Sequence, residues 1–393
     1  MNYRKSRINI DFVKRWAKIG INPILLSILN RRGIQEDKEL FEFIKDFDKG
    51  KDKNKKIGSP STYYAVLLMD GDNMGIWLSG GMAPKIEDIL HPDVINNLNK
   101  QEWIECLNMH RPLNPSLHLA TSRALRDFSL HVAREVVEKD HLGKLVYAGG
   151  DDVLAFVCLR DLPELMRKLR AYFSGSLTKI SNDTVEIDFQ GGSGFIPVDR
   201  DGEPINIESR RPISGFKLSM GPKATASMGV VIAHHSSNLS QVLEEVRYCE
   251  KEAKKLEDKN AFCISLAKRA GEKSYITTKW YYDDQSAQKR VLETIPLLRK
   301  WIDAFYHDYI SPQMVYTVLG ETGGLEGLPS EAIEFELLRI ADRHRNKTSA
   351  EFNRDQMIEL VSGLVKLYNV GLSLERIGIF LSVAAFLGRE GNR

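Results

Sequence analysis

The chain has 393 residues, 42% of them hydrophobic, with 55 lysines and arginines against 53 aspartates and glutamates. These values suit a globular protein of two or three domains, and the net charge of +2 does not by itself indicate a nucleic-acid partner. The four cysteines form no CxxC pair, so we expect neither a zinc site nor a disulfide framework. No apolar run is long enough to span a membrane, and the N-terminus lacks the apolar core of a signal peptide. We therefore expect a cytoplasmic protein without a membrane partner.

The first 60 residues are basic, with 15 Lys/Arg against 8 Asp/Glu. Apolar residues recur at helical spacing between residues 8 and 46, and the segment DFDKGKDKNKKIGSPS (46–61) that follows is charged and aperiodic. We therefore predict a helical lead-in and a linker over residues 1–60. A basic end of this kind can contact RNA, although a solvated helical surface is the more common meaning.

Residues 61–275 carry the pattern of an α+β domain. The apolar run YYAVLLMD (63–70) predicts a buried central strand, because it is continuous and bounded by turn residues. Further along, two apolar runs joined by Gly-Gly-Asp-Asp predict a hairpin over 144–159. Periodicity predicts helices over 116–138, 161–173 and 239–257, strands over 224–233 and 260–267, and an insertion over about 174–222. The β-α-β-β-α-β order indicates a ferredoxin-like sheet with helices on one face.

Strand signals stop after about residue 275. Four segments with helical periodicity follow, the last of them LSLERIGIFLSVAAFLG. We therefore predict a separate C-terminal helical domain over residues 276–393.

Three aspartates mark the candidate site. Asp70 ends the predicted central strand, and Asp151 and Asp152 lie in the turn of the predicted hairpin. These strands are neighbours in a ferredoxin-like sheet, so the carboxylates converge and need a cation to offset their repulsion. Gly149 and Gly150 allow a tight turn and a close approach of a nucleotide. Taken alone, Gly-Gly-Asp-Asp is equally well explained as an ordinary hairpin turn.

This combination of motifs resembles the palm domain shared by GGDEF cyclases, class III nucleotide cyclases and some polymerases. Longer segments, among them YYAVLLMDGDNMGIWLSG, RPLNPSLHLATSRALRDFSLHV and GKLVYAGGDDVLAFVCL, resemble the large cyclase-like subunit of type III-B (Cmr-type) CRISPR effector complexes. The resemblance extends from about residue 60 to near the C-terminus.

The resemblance implies a metal-dependent nucleotidyltransferase. Such subunits bind ATP at the GGDD palm with two Mg2+ or Mn2+ ions and join it through 3′–5′ linkages into cyclic oligoadenylate when their complex captures target RNA. The implied partners are the other subunits of the complex, which the helical tail would contact, together with guide RNA and target RNA.

The resemblance also implies roles for individual residues. Asp70, Asp151 and Asp152 would bind the metal ions. The remaining candidates would contact metal or nucleotide: Gly71 through its carbonyl, Gly149 and Gly150 in the turn, Ser227 and Gly229 near a ribose or base, and Lys254 (preferred over Lys255) and Lys259 at the phosphates.

The chain departs from this family in two ways. Family members usually begin with an HD nuclease domain and a first palm, for which this sequence has no room. We therefore expect a split subunit, an engineered piece of one, or a protein that pairs with a second palm in trans or in a homodimer. Ile76 also stands where related cyclases carry a basic residue.

Two rival functions stay open. The first is a stand-alone homodimeric palm cyclase that makes a cyclic dinucleotide. The second is a non-catalytic scaffold that binds ATP or RNA. Other histidines, including His110, His118, the His234-His235 pair and the His307-Asp308 dipeptide, favour packing or surface roles over a metal or nuclease site.

Overall fold

The computed structural model describes residues 61–98, 100–179, 185–189, 192–205, 212–284, 289–349 and 351–391. The predicted lead-in over residues 1–60 lies outside these ranges. The strands are β1 (Tyr63–Gly71), β2 (Gly143–Gly149), β3 (Asp152–Val157), β4 (Leu177–Lys179), β5 (Val185–Ile187), β6 (Phe195–Val198), β7 (Gly215–Leu218), β8 (Ala226–His234), β9 (Ala261–Ala267), β10 (Lys273–Lys279), β11 (Tyr281–Asp284) and β12 (Lys289–Glu293).

The helices begin with four short ones, which lie between β1 and the long helix of the domain. They are α1 (Met74–Leu78), α2 (Ile86–Ile89), α3 (Pro92–Asn97), α4 (Lys100–Asn108), α5 (Pro115–Asp127), α6 (Leu162–Ser174), α7 (Leu239–Lys254), α8 (Thr294–Tyr306), α9 (Gln313–Leu325), α10 (Ser330–His344), α11 (Arg354–Asn369) and α12 (Leu374–Glu390). Wide π-type turns over Phe128–Val132 and Glu135–Asp140 continue α5, which gives the long helix predicted over 116–138. No helix among the described residues is both long and apolar enough to cross a bilayer.

The predicted ferredoxin-like sheet is confirmed. Six strands are ordered β10-β9-β8-β1-β3-β2, with β1 antiparallel to both β3 and β8. The four strands β8-β1-β3-β2 form the ferredoxin-like part, and β9 extends it parallel to β8 after the α7 crossover. The predicted insertion contains two small hairpins, β4/β5 and β6/β7.

Helices cover both faces of this sheet, so the prediction of helices on one face was wrong. Helices α5 and α6 pack on the face that carries Leu67 and Met69. Helix α7 packs on the opposite face, where Val242 and Val246 contact Val66. The cause is visible in β1 and β8, whose nearly continuous apolar residues bury both sides of each strand.

Strands also continue beyond residue 275, contrary to prediction. Strand β10 pairs with β9 at the edge of the sheet, and β11 pairs with β12 before the helical region begins at Thr294. Edge position explains the weak signal, because KSYITTK alternates buried Ile276 and Thr278 with more exposed positions and offers no apolar run. The C-terminal helices then follow as predicted.

The apolar core is continuous between the sheet and the C-terminal helices. Buried side chains of β1, β3 and β8 belong to one cluster with Trp301 of α8 and Phe380 of α12. Helices α8 and α12 approach closely at Gly388, where a Cβ would lie 3.0 Å from the Ile302 carbonyl oxygen. Helix α12 also contacts β10 at the edge of the sheet, so the helical region packs directly on the palm domain.

Candidate metal and nucleotide site

Three carboxylates converge where β1 meets the β2/β3 turn. The strands pair Met69 with Val153, which brings the next residues, Asp70 and Asp152, side by side, and Asp151 lies in the turn before β3. One carboxylate oxygen from each aspartate lies within 4.8 Å of the others. We call these three residues the acid rim. Within the described ranges, no other group of three or more His, Cys, Asp or Glu side chains has this geometry.

Glycines give the acid rim its compact shape. Gly150 has a φ of 69°, a left-handed conformation that an L side chain rarely adopts. Gly71 lies directly against Asp151, because a Cβ at Gly71 would be 2.9 Å from the Asp151 Cβ. Any larger residue at Gly71 would displace the Asp151 carboxylate. A contact of the Gly71 carbonyl with a metal stays a prediction.

The rim carboxylates are electrostatically strained. Burial, reinforced by the neighbouring Asp70 and Asp151, raises the pKa of Asp152 to about 7. Burial and the Asp70 carboxylate also raise the pKa of Asp151. Burial alone would raise the pKa of Asp70, but hydrogen bonds with Asp152 and Lys254 outweigh it and lower that pKa. The rim therefore holds more negative charge than its own protein donors neutralise.

Both lysines predicted to contact phosphates lie beside the rim. Lys254, at the end of α7, forms ion pairs with Asp70 and, at 2.8 Å, with Glu250. Hydrogen bonds to these two carboxylates outweigh partial burial and raise the pKa of Lys254, so it stays protonated. Lys255, the rejected alternative, is exposed and pairs with Glu252 on the helix surface.

The second lysine lies in an unusual turn. Asp258, Lys259 and Asn260 have φ values of 61°, 53° and 49°, three consecutive left-handed residues without a glycine. The Lys259 Nζ donates to Asn73 Oδ1 at 2.7 Å, and Asn73 is itself left-handed with a φ of 57°. The turn between α7 and β9 is thus tied to the loop that follows β1.

A set of polar residues behind the rim holds this turn in place. Asp72 is only 1% exposed, and its carboxylate accepts hydrogen bonds from Ser227 Oγ at 2.8 Å and from the Asn260 backbone N–H at 3.0 Å. The Asn260 side-chain oxygen in turn accepts from Arg170 Nε and Nη2, at 2.9 and 2.8 Å. We call Asp72, Ser227, Asn260 and Arg170 the buried network.

The structure shows the surroundings of two residues on β8 that were predicted to lie near the nucleotide. Ser227 is fully buried and its hydroxyl donates to Asp72, and a contact of Ser227 with a ribose or base stays a prediction. Gly229 faces α7, where a Cβ would collide with the helix backbone at Val246 and Glu250. Both residues lie on a strand whose two faces are covered.

Sequence reasoning missed Asp72, Asn260, Arg170 and Glu250. A signal existed for Arg170, which lies four residues after Met166 on the apolar stripe of α6 and so predicts a buried arginine with a polar partner. Asp72 follows Asp70 by two positions, directly after the last residue of β1. The sequence gives no spacing that links Asp72 to Asn260, because the two lie 188 positions apart.

The histidines lie in packed or surface positions, as the sequence favoured. His110 Nδ1 lies 2.6 Å from the Ala83 carbonyl oxygen, His234 is buried beside Tyr63, and His118 is exposed. His307 stacks on Tyr309 and contacts the Asp303 carbonyl oxygen in the C-terminal helices. None of them belongs to a metal-ligand group within the described residues.

The donor set of the acid rim fits a hard divalent cation. Three carboxylates within reach of one another, two of them with raised pKa values, offer the oxygen ligands and the uncompensated charge that Mg2+ or Mn2+ would neutralise. The flanking lysines add positive charge where phosphates would lie.

Comparison with known proteins supports the palm interpretation. A family profile described as Cas10/Cmr2, second palm domain, matches residues 63–199 and 213–263. The protein named "CRISPR system Cmr subunit Cmr2" of Pyrococcus furiosus is 28% identical over 385 residues, which cover 96% of this chain and 37% of that protein.

Solved structures give a similar picture. The structure "Type III-B Cmr-beta bound to cognate target RNA" contains a chain with a TM-score of 0.56 and 15% identity, covering 92% of this chain and 41% of that one. A chain of the apo state has a TM-score of 0.52 and 15% identity, covering 89% of this chain and 40% of that one. At this identity the likeness establishes the fold, and the chain spans well under half the length of the relatives that it matches.

Proposed function

We propose that this chain is a Cmr2-like protein of the Cas10/Cmr2 family and a metal-dependent nucleotidyltransferase, because its residues 63–199 and 213–263 match the second palm domain of that family. Its proposed substrate is ATP, and its proposed product is cyclic oligoadenylate with 3′–5′ linkages. The substrate and product follow from the GGDD-palm resemblance.

The convergence of Asp70, Asp151 and Asp152 is the observation that carries this proposal. A structural turn has no need of three mutually repelling carboxylates, two of which have raised pKa values. A divalent cation held by these residues would offset their repulsion, and nucleotidyl transfer is a reaction in which such a cation contacts phosphates.

The residues of the site have different proposed roles. Asp70, Asp151 and Asp152 would hold one or two divalent ions, which supply positive charge to the attacking 3′-hydroxyl and the leaving pyrophosphate. Lys254 and Lys259 would contact the triphosphate. The ion pair with Glu250 holds Lys254 beside the rim.

The proposed setting is a type III CRISPR ribonucleoprotein. The similar Pyrococcus protein is named as a Cmr subunit, and one of the matched structures is a Cmr complex bound to target RNA. We propose the same partners for this chain: other Cmr-type subunits, guide RNA, target RNA and a second palm that completes the nucleotide site.

Incubation of the purified chain with labelled ATP and Mg2+ or Mn2+ tests the proposal. Reactions are run with and without candidate Cmr-type subunits and target RNA, and the products are resolved by mass. Asp151→Ala/Asp152→Ala should abolish product formation. The double variant Glu331→Ala/Glu375→Ala, which removes two exposed acids in the first turns of α10 and α12, is the matched control and should leave it intact.

Each outcome separates one function from another. Cyclic oligoadenylate that requires target RNA supports the proposed enzyme. A cyclic dinucleotide made by the chain alone would indicate the homodimeric cyclase. ATP binding without product under every condition, unchanged in the double aspartate variant, would indicate a scaffold.

A further inference from the structure

A groove lies on a part of the palm domain that shares no residue with the acid rim. It runs between the outer side of α5 and the β6/β7 hairpin of the insertion, with a volume of about 720 Å3. Two phenylalanines of the hairpin and two arginines of the helix line it. The proposed nucleotidyl transfer uses none of these side chains.

The hairpin contributes an exposed aromatic surface. Phe195 is 45% exposed and Phe216 is 58% exposed, and their ring centroids lie 6.5 Å apart at an interplanar angle of 70°. The rings touch edge to face, so each keeps much of its own face open to the groove. Across the groove, Leu119 of α5 is 69% exposed. The two phenylalanines of the hairpin therefore present flat apolar surface to solvent, whereas the neighbouring Ile196 is buried.

Positive charge surrounds these rings. Arg123, Arg126 and Lys217 line the groove, and its acidic lining residue Asp127 accepts a hydrogen bond from Arg126 at 3.1 Å. Within the described residues, Arg123 and Lys217 form no ion pair with a carboxylate. The groove thus has two more cationic than anionic side chains and open guanidinium surface beside open aromatic surface.

We propose that this groove binds a single-stranded polynucleotide, with bases stacked on Phe195 and Phe216 and the phosphate backbone on the arginines of α5. Aromatic faces combined with a basic track are the features by which proteins bind single strands without strong sequence preference. An acidic peptide would use the cations and leave the ring faces exposed. An apolar helix would cover the rings but desolvate the cations without pairing them.

This assignment deepens the proposed function, since it gives the chain its own contact with the RNA of an RNA-guided complex. It rests on the groove and not on the palm chemistry. Asp151→Ala/Asp152→Ala should therefore bind the strand as well as the wild-type chain does. Loss of catalysis and loss of strand binding are then separate failures.

Fluorescence anisotropy of the full chain with a labelled 20-nucleotide RNA of mixed sequence provides the test, in parallel with the same RNA in a duplex. We expect Phe195→Ala/Phe216→Ala to weaken single-strand binding about tenfold or more. Arg123→Ala should reduce the slope of log affinity against log salt by about 1. Matched controls are Phe335→Ala on α10, at an aromatic residue 72% exposed, and Lys366→Ala on α11.

Photo-crosslinking of the bound RNA locates the contact independently, which matters because the basic segment before residue 61 is present in the same chain. Crosslinks on the β6/β7 hairpin, lost in the double phenylalanine variant, support the groove. Unchanged affinity in that variant, or equal affinity for the duplex, would overturn the proposal. Poly-glutamate added as a competitor tests the acidic-peptide alternative. If poly-glutamate binds at the hairpin and the RNA is bound only at another site, the groove would instead be a surface for an acidic protein.

Discussion

Asp70 and Asp72 lie two positions apart at the end of β1, yet one belongs to the acid rim and the other to the buried network. The surroundings of these two aspartates are opposite in kind. The Asp70 side chain is 30% exposed and borders two other carboxylates. Asp72 is 1% exposed and receives hydrogen bonds from a hydroxyl and a backbone N–H. The acid rim carries negative charge in excess, whereas in the buried network hydrogen bonds compensate the charge of Asp72.

The two regions have different proposed roles: the acid rim would bind a cation, and the buried network fixes the loops around it. The buried network fixes the turn that carries Lys259 and the loop that carries Asn73, and so positions the surroundings of the rim. Lys254 neutralises the rim only in part, so the proposed cation would meet carboxylate charge that the protein leaves uncompensated. Substitutions in the two regions should therefore affect different properties.

The largest expected effect is on activity at the rim. Asp70→Asn, Asp151→Asn or Asp152→Asn should each lower the rate of ATP turnover roughly a thousand-fold, because each removes a charged ligand of the cation (about 4 kcal/mol). Thermal unfolding should show that each variant remains folded. Turnover within about tenfold of wild type in all three would remove the rim from the chemistry.

The next effect is on stability in the buried network. Asp72→Ala leaves the Ser227 hydroxyl and the Asn260 N–H buried without their acceptor, so we expect about 3 kcal/mol lower free energy of unfolding in urea. Ser227→Ala removes one neutral donor and should cost about 1 kcal/mol. An Asp72→Ala chain as stable as wild type would mean that the network does not hold the turn.

A smaller effect is expected at the lysines between the two regions. Lys254→Met should raise the KM for ATP roughly tenfold, since a charged hydrogen bond to phosphate is lost, with a lesser change in kcat. Lys255→Met, next in sequence but exposed and paired with Glu252, is the matched control and should behave as wild type. Equal effects in both variants would indicate a general loss of positive charge instead of a specific contact.

The smallest effect is a pH-dependent gain in stability. The pKa of Asp152 is about 7, against 3.8 for an aspartate without these neighbours, so the metal-free folded state loses stability as pH rises from about 4 to about 7. Asp152→Asn should therefore be more stable than wild type by about 1 kcal/mol at pH 8, after allowance for solvent screening, and equal to it near pH 4. Saturating Mg2+ should reverse the order at pH 8. Identical urea midpoints across this range would contradict the strain at the rim.

The sequence was informative about the rim because its residues are local or lie on adjacent strands. The apolar run before Asp70 and the two runs around Gly-Gly-Asp-Asp are strong strand signals, and antiparallel pairing of β1 with β3 follows from the order of elements. The helices after Thr294 were also predictable from periodicity.

The buried network was not predictable in this way. Its hydrogen bonds join residues far apart in sequence and depend on which side chains face inward at the start of β8, where the bond from Ser227 to Asp72 was not foreseen. The position of α7 was also missed, because periodicity identifies the buried side of a helix but not the face of the sheet that it covers. The alternating pattern of β10 resembled a loop because half of an edge strand faces solvent.

The distance along the chain between partners has a consequence for how the protein is made. Lys254 leaves the ribosome 184 residues after its ion-pair partner Asp70. Strand β1 likewise waits for β8 before its second edge is paired. During translation the three aspartates therefore exist without the lysine and without the turn that frames them, so the site is completed only when most of the palm has emerged. Cation binding at the rim would therefore indicate that the palm domain has folded.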